Sequence, residues 1–149
     1  MLNLREATDQ DLDFYFLVRN DPEVFSGFYS QKKPLTYPEH CNWWHGRNQD
    51  WRKFTVDLTS KSIGILNIVQ LDHWSPEIGY ALMPSYWGQG YGTEAVKMAL
   101  NWLKSRGYGY CHTTVLKTNE RSLNLLKRLG FEILGDAREG EYWLTKRIS

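Results

Sequence analysis

"SYWGQGYGTEAV", Ser85 to Val96, sets glycines at 88, 90 and 92 and runs straight into a helix-forming stretch. Glycine lacks Cβ, so it takes positive φ freely and lets another molecule approach the main chain, at an entropic cost that an ordinary loop need not bear. Upstream, Glu77 to Met83 ("EIGYALM") has strand composition. Downstream, Val96, Ala99, Leu100 and Leu103 recur at three- and four-residue steps, which predicts one buried stripe on a helix from Gly92 to Arg106. A strand therefore feeds a glycine loop, and the loop feeds a helix. Successive backbone N–H groups at such a helix start form a concave anion site, reinforced by the helix dipole. Two familiar phosphate loops fail on spacing. A dinucleotide fold wants G-x-G-x-x-G early in the chain, whereas G-x-G-x-G stands late here; a Walker A loop wants Lys after its last glycine, and Thr93 and Glu94 follow Gly92. What remains is a diphosphate held on main-chain amides, with close strand-to-helix packing as the alternative use of the glycines.

Outward from the loop, "LNLREA" predicts a first strand, and Thr8 with Asp11 is spaced as a capping box for a helix carrying Leu12, Tyr15, Phe16 and Arg19, which Pro22 closes. Thr36 and Glu39 form a second capping box with Pro38 in the first turn, predicting a helix from Tyr37 to about Gly46. The segment from Lys53 to Met83 holds three β-rich runs and reads as an antiparallel meander. "YCHTTVL" is the next strand, "NERSLNLLKRLG" a helix capped near Asn119, and "FEILGDAREGEYWLTKRI" a closing hairpin. No repeat or linker interrupts this order. The expected fold class is mixed α/β on one central sheet, in a single domain covering residues 1–149.

The 149 residues carry a net charge of +1, which gives no field to draw nucleic acid or an acidic membrane. Cys41 and Cys111 form no CxxC pair, so neither a disulfide framework nor a zinc site is indicated, and no apolar run approaches the roughly 20 residues of a membrane span. A soluble, cytoplasmic protein without a metal is expected, partnered by neither nucleic acid nor membrane, as a monomer or homodimer. Trp43, Trp44, Trp51, Trp74 and Trp87 sit near polar or glycine-rich segments, where a ring serves either the core or a cleft.

Taken together, "EIGYALMPSYWGQGYGTEAV" and "NERSLNLLKRLGF" resemble the GNAT superfamily of acetyl-CoA-dependent N-acetyltransferases, particularly its Rim-type branch. The resemblance implies a mostly antiparallel twisted sheet, splayed at the acetyl-CoA site and flanked by about four helices. It implies that Trp87, Gly88, Gln89, Gly90, Tyr91, Gly92 and Thr93 wrap the coenzyme A pyrophosphate, with Trp87 standing where the family usually has Arg or Gln. It places Ala81, Leu82 and Met83 on a bulged strand that holds the pantetheine arm, and Asn119 and Ser122 at the coenzyme. Asn119 is equally an ordinary helix cap, and Phe131 is expected in the core.

Acetyl transfer needs a neutral amine, and an alkyl amine with a reference pKa of about 10.4 is mostly protonated at neutral pH. Glu77 is the candidate base, in phase with Gly79 and Ala81 along its strand; the alternative is an exposed strand-end glutamate. Glu94 is a weaker candidate, since the helix dipole alone explains it. Many family members place a tyrosine seven residues after the motif asparagine to protonate the leaving sulfur, but that position is Leu126, which leaves Ser122, another tyrosine or a water. Trp43, Trp44 and Tyr80 are the candidate acceptor-binding residues. "VRNDPEV" and "TYPEHCNWW" resemble GNAT enzymes of nucleotide-linked amino sugars; the alternatives are a protein N-terminus or another small amine, and, in a different class, a non-catalytic acyl-CoA sensor.

Overall fold

The computed structural model describes residues 1–46 and 49–148. Among these residues seven strands form one sheet in the order β1-β2-β3-β4-β5-β7-β6. The strands are β1 (Leu2–Glu6), β2 (Arg52–Leu58), β3 (Lys61–Val69), β4 (Glu77–Leu82), β5 (Tyr110–Leu116), β6 (Glu132–Arg138) and β7 (Glu141–Arg147). Every pairing is antiparallel except β4 with β5. Among the described residues five α-helices flank them: α1 (Leu12–Arg19), α2 (Pro22–Phe25), α3 (Tyr37–His45), α4 (Tyr91–Ser105) and α5 (Glu120–Arg128).

The local signals act as expected at several termini. Asp11 accepts a hydrogen bond from the Thr8 N–H at 2.8 Å, and the Thr36–Glu39 box closes in both directions at 2.9 and 3.3 Å. Pro22 does more than stop α1, the role its sequence context predicts. It is also the first residue of α2, whose start is capped by the Asp21 side chain accepting from the Glu23 N–H. The β2–β3 hairpin turns on Thr59 and Ser60, both at positive φ, 47° and 68°.

Two apolar clusters sandwich the sheet. One packs α4 and α5 through Ala95, Val96, Ala99, Leu103, Leu123 and Leu126 onto Leu66, Ile68 and Ile78 of the sheet, and it contains Phe131. The other packs Tyr15, Val18, Val24 and Trp44 onto Ile65 and Ala81. The parallel register of β4 and β5 closes at one pair, Glu77 opposite His112, supported by His112 N–H on the Pro76 carbonyl and the Thr113 hydroxyl on the Ile78 carbonyl at 2.7 Å. Beyond that point the strands part. The expected bulge does not show in the pairing of β4 with β3, whose register runs unshifted; the β2–β3 register shifts between Val56 and Asp57, where Ile63 of β3 is the extra residue. Divergence of β5 from β4 opens the sheet instead. Among the described residues, no helix is long and apolar enough to cross a membrane.

Candidate active site

The glycine loop follows β4 through a short 3-10 turn, Pro84–Tyr86. Gly88 and Gly90 take φ of 76° and 85°, the left-handed region that costs an L-residue roughly 1–2 kcal/mol. A Cβ at either would meet nothing within 4 Å, so backbone conformation, not crowding, selects glycine there. Gly92 has the opposite reason: a Cβ would lie 2.9 Å from the Leu125 side chain, and its absence lets α4 and α5 approach. Gly90 is the N-cap of α4 and has no side chain to satisfy the helix start. Helix geometry leaves the first N–H groups, those of Tyr91, Gly92 and Thr93, without an acceptor inside the helix.

A cavity of about 230 Å³ lies in front of these groups. Ala81, Leu82 and Tyr80 of β4 line it together with Trp87, Gly88, Gly90, Gly92 and Thr93 of the loop and Asn119 and Ser122 of α5. Arg121 and Arg128 line it too, and no sequence motif had singled them out. The Trp87 indole N–H donates to the Leu82 carbonyl at 2.9 Å, which pins the ring at the end of β4. The Arg121 guanidinium lies 3.4 Å over that ring. Burial lowers the Arg121 pKa from its ordinary value without removing its charge at neutral pH. Asn119 caps α5, accepting from the Ser122 N–H at 3.3 Å, and its amide nitrogen faces Gly27 closely enough that a Cβ there would sit 2.9 Å away. The side chains of Met83, Gln89 and Tyr91 are not in this cavity wall. Met83 packs against the cluster of Tyr15, Val18 and Trp44, Gln89 donates to the Ser85 carbonyl, and Tyr91 packs near Tyr86.

A second cavity, about 300 Å³, opens where β4 and β5 part. Glu77 and Gly79 of β4, Thr114 of β5, Tyr29 and Ser30 of the loop after α2, and Arg138 and Glu141 of the β6–β7 hairpin line it. Glu77 is half-buried, and desolvation raises its pKa; His112 opposes that rise and Glu141 adds to it. Glu141 is buried and accepts from the Arg138 guanidinium at 2.9 Å, while the same guanidinium covers the Tyr29 ring at 3.9 Å. Phe28, Tyr80, Asn119 and Ser122 belong to the walls of both cavities, and at that junction the Tyr80 and Ser122 hydroxyls are 2.7 Å apart.

Trp43 and Trp44 stand elsewhere and line neither cavity. Trp44 is 2% exposed, packs edge-on against Tyr15, and donates its indole N–H to Asp9 at 3.0 Å. Trp43 lies under the Arg19 guanidinium, 3.9 Å away. Both rings serve the packing of α3 on α1. Leu126, at the position of the family's tyrosine, is 1% exposed and part of the core.

The family model described as the acetyltransferase (GNAT) domain matches residues 1–132. The chain belongs to the GNAT acetyltransferases. An uncharacterized protein of Methanocaldococcus jannaschii is 36% identical over 143 residues, 93% of this chain, and this chain spans 30% of that protein's length. The crystal structure of a domain from the same organism superposes with a TM-score of 0.93 at 32% identity, covering 99% of this chain and 98% of that one. The spermidine N(1)-acetyltransferase of Escherichia coli is 27% identical over 150 residues, 91% of this chain and 75% of that enzyme. Acetyl-CoA is the co-substrate of GNAT acetyltransferases, and the residues present fit it: a left-handed glycine cradle, orphan helix N–H groups, and a cavity running from them along β4.

Proposed function

We propose that this GNAT chain transfers an acetyl group from acetyl-CoA to a small cationic amine by direct attack, with both substrates bound at once. The observation that carries this is the meeting of the two cavities at the β4–β5 splay, one ending on the glycine loop and the other on Glu77. When bound, acetyl-CoA supplies an activated thioester. Main-chain amides from Trp87 to Thr93 hold the pyrophosphate, with Gly88 and Gly90 giving the loop its curvature. Trp87 replaces the family's Arg or Gln, and Arg121, seated on its ring, supplies the cation from α5 instead. Ala81 and Leu82 guide the pantetheine arm, and Asn119 and Ser122 form the wall beside it.

Glu77 takes the proton of the incoming ammonium, directly or through a water. Its raised pKa suits a base working nearer neutrality than an ordinary carboxylate. Among the described lining residues of the same cavity Arg138 and Glu141 pair with each other, so the Glu77 carboxylate sets the sign of its charge. A nucleotide-linked amino sugar would bring a diphosphate into this wall, whereas a small amine with a second positive charge complements it. The spermidine enzyme among the relatives supports the same choice.

The test is thiol release from acetyl-CoA with spermidine, an aminoglycoside, a UDP-amino sugar and a peptide with a free N-terminus, each product identified by mass spectrometry. Release with the first two supports the proposal. Release with only the sugar or the peptide corrects the acceptor, and coenzyme binding without release for any amine points to a sensor. Arg121→Ala should weaken acetyl-CoA binding about tenfold, the scale of one charge-assisted contact, and an unchanged affinity by calorimetry removes it from the phosphate site.

A further inference from the structure

The departing sulfur needs a proton, and the position where the family resemblance puts its donor is Leu126, sealed in the core. The molecule has two hydroxyls at the junction of the two cavities. Tyr80 comes from β4 and Ser122 from the first turn of α5, and their oxygens lie 2.7 Å apart, in the walls of both spaces. Their location suits the chemistry: a coenzyme held by the glycine loop would bring its sulfur along β4 to this wall, and an amine beside Glu77 would reach it from the other cavity.

We propose that the Tyr80 hydroxyl donates its proton to the sulfur as the C–S bond breaks, with the Ser122 hydroxyl donating a hydrogen bond to the Tyr80 oxygen. This rests on the acetyl transfer proposed above. The amine nitrogen forms the new C–N bond, and the electrons of the C–S bond leave on sulfur. Sulfur takes the Tyr80 proton to become the thiol, and Ser122 steadies the phenolate left behind. Nitrogen loses two protons: the ammonium's passes through Glu77 to bulk water before attack, and the one shed as the amide forms passes to the freed Glu77 and returns to Tyr80 through water, so the reaction releases one proton beside the thiol. Burial raises the pKa of Tyr80, so it is protonated at neutral pH and ready to donate; the Ser122 bond and nearby Arg121 work against that rise. The other titratable groups lining the two cavities, among the described residues, are Arg121, Arg128 and Tyr86 on the coenzyme side and Glu77, Tyr29, Arg138 and Glu141 on the acceptor side.

The test reads the sulfur contact without knowing the acceptor. Coenzyme A and its analogue lacking the sulfur, desulfo-CoA, are titrated calorimetrically into wild type, Tyr80→Phe and Ser122→Ala at pH 7 and pH 9.5. A thiol of reference pKa about 8.5 ionises between these values, so a hydroxyl donor should raise the wild-type ratio of the two affinities about tenfold at the higher pH. Tyr80→Phe should keep that ratio flat while binding desulfo-CoA as wild type does, which shows the fold intact. Ser122→Ala should lose at least half of the rise. A flat ratio in wild type, or an undiminished rise in either variant, overturns the hydroxyl pair and leaves acetyl transfer standing. No binding of coenzyme A to wild type overturns both.

Discussion

Desolvation at the edge of the cavity between β4 and β5 raises the pKa of Glu77, and on the proposed function stability and activity should respond to that rise with opposite signs. The folded protein holds the proton more tightly than the unfolded chain, whose glutamate titrates near about 4.3. The stability from the protonated form is therefore present in acid and lost as pH rises through the folded value. At pH 8 the charged, half-buried carboxylate is a liability to the fold, so Glu77→Gln should melt at a higher temperature than wild type. Its turnover should fall about 100-fold, the lower end for a lost general base. A variant less stable at pH 8 and fully active would return Glu77 to the status of a solvated strand end. That Glu77, Asn119 and the loop glycines line the two cavities follows from their places in the sequence, because each is set by its own backbone position. Arg121, Arg138, Glu141 and Tyr29 were not legible there, since their meaning comes from partners that only the folded sheet brings close. Trp43 and Trp44 lie away from both cavities, which was not legible for a related reason: a tryptophan next to polar residues reads the same whether its ring faces a cleft or, like Trp44, a tyrosine and an aspartate.

At the scale of elements, the turn from β4 into α4 concentrates the backbone cost of the site. Gly90→Ala should lower stability by about 1 kcal/mol, because the left-handed conformation penalises Cβ even where the space is open. Urea denaturation reads that loss, and calorimetry with coenzyme A should show weaker binding in step. Equal stability would mean that the loop relaxes to another conformation without its ligand. The capping boxes at Thr8 and Thr36 were readable because hydrogen bonds three residues apart are local. The one-turn helix α2 was missed because Asp21-Pro22-Glu23 reads equally as a helix stop and a helix start. The splay of β4 from β5 was expected from the family resemblance, but its cause is a non-local pairing that ends early, which no local pattern records.

For the molecule as a whole, the N-terminal half is tied to the sheet by Arg5. Its guanidinium bonds Asp11 twice and Asp57 once, all at 2.9 Å, joining β1, the entry to α1 and β2. The Arg5 bonds are the largest cause holding the Asp11 pKa below its usual range. That stabilisation is present above the unfolded aspartate value of about 3.9 and is lost as pH falls through the lower folded value. Arg5→Leu should therefore shift the urea midpoint clearly at pH 7 and much less at pH 2.5; equal shifts would assign the loss to packing of the arginine stem. Apart from α2, the order of the main elements and the fold class were legible along the chain, because alternation and helical periodicity repeat in the longer segments.

The shared wall of Tyr80 and Ser122 has a kinetic corollary. The two cavities each have their own lining away from that wall, so on the proposed function coenzyme and amine should each enter without displacing the other. Double-reciprocal plots at several fixed amine concentrations should intersect, and a dead-end amine analogue should still bind enzyme that already carries coenzyme. Parallel lines would demand an acetylated enzyme and a protein nucleophile at the junction.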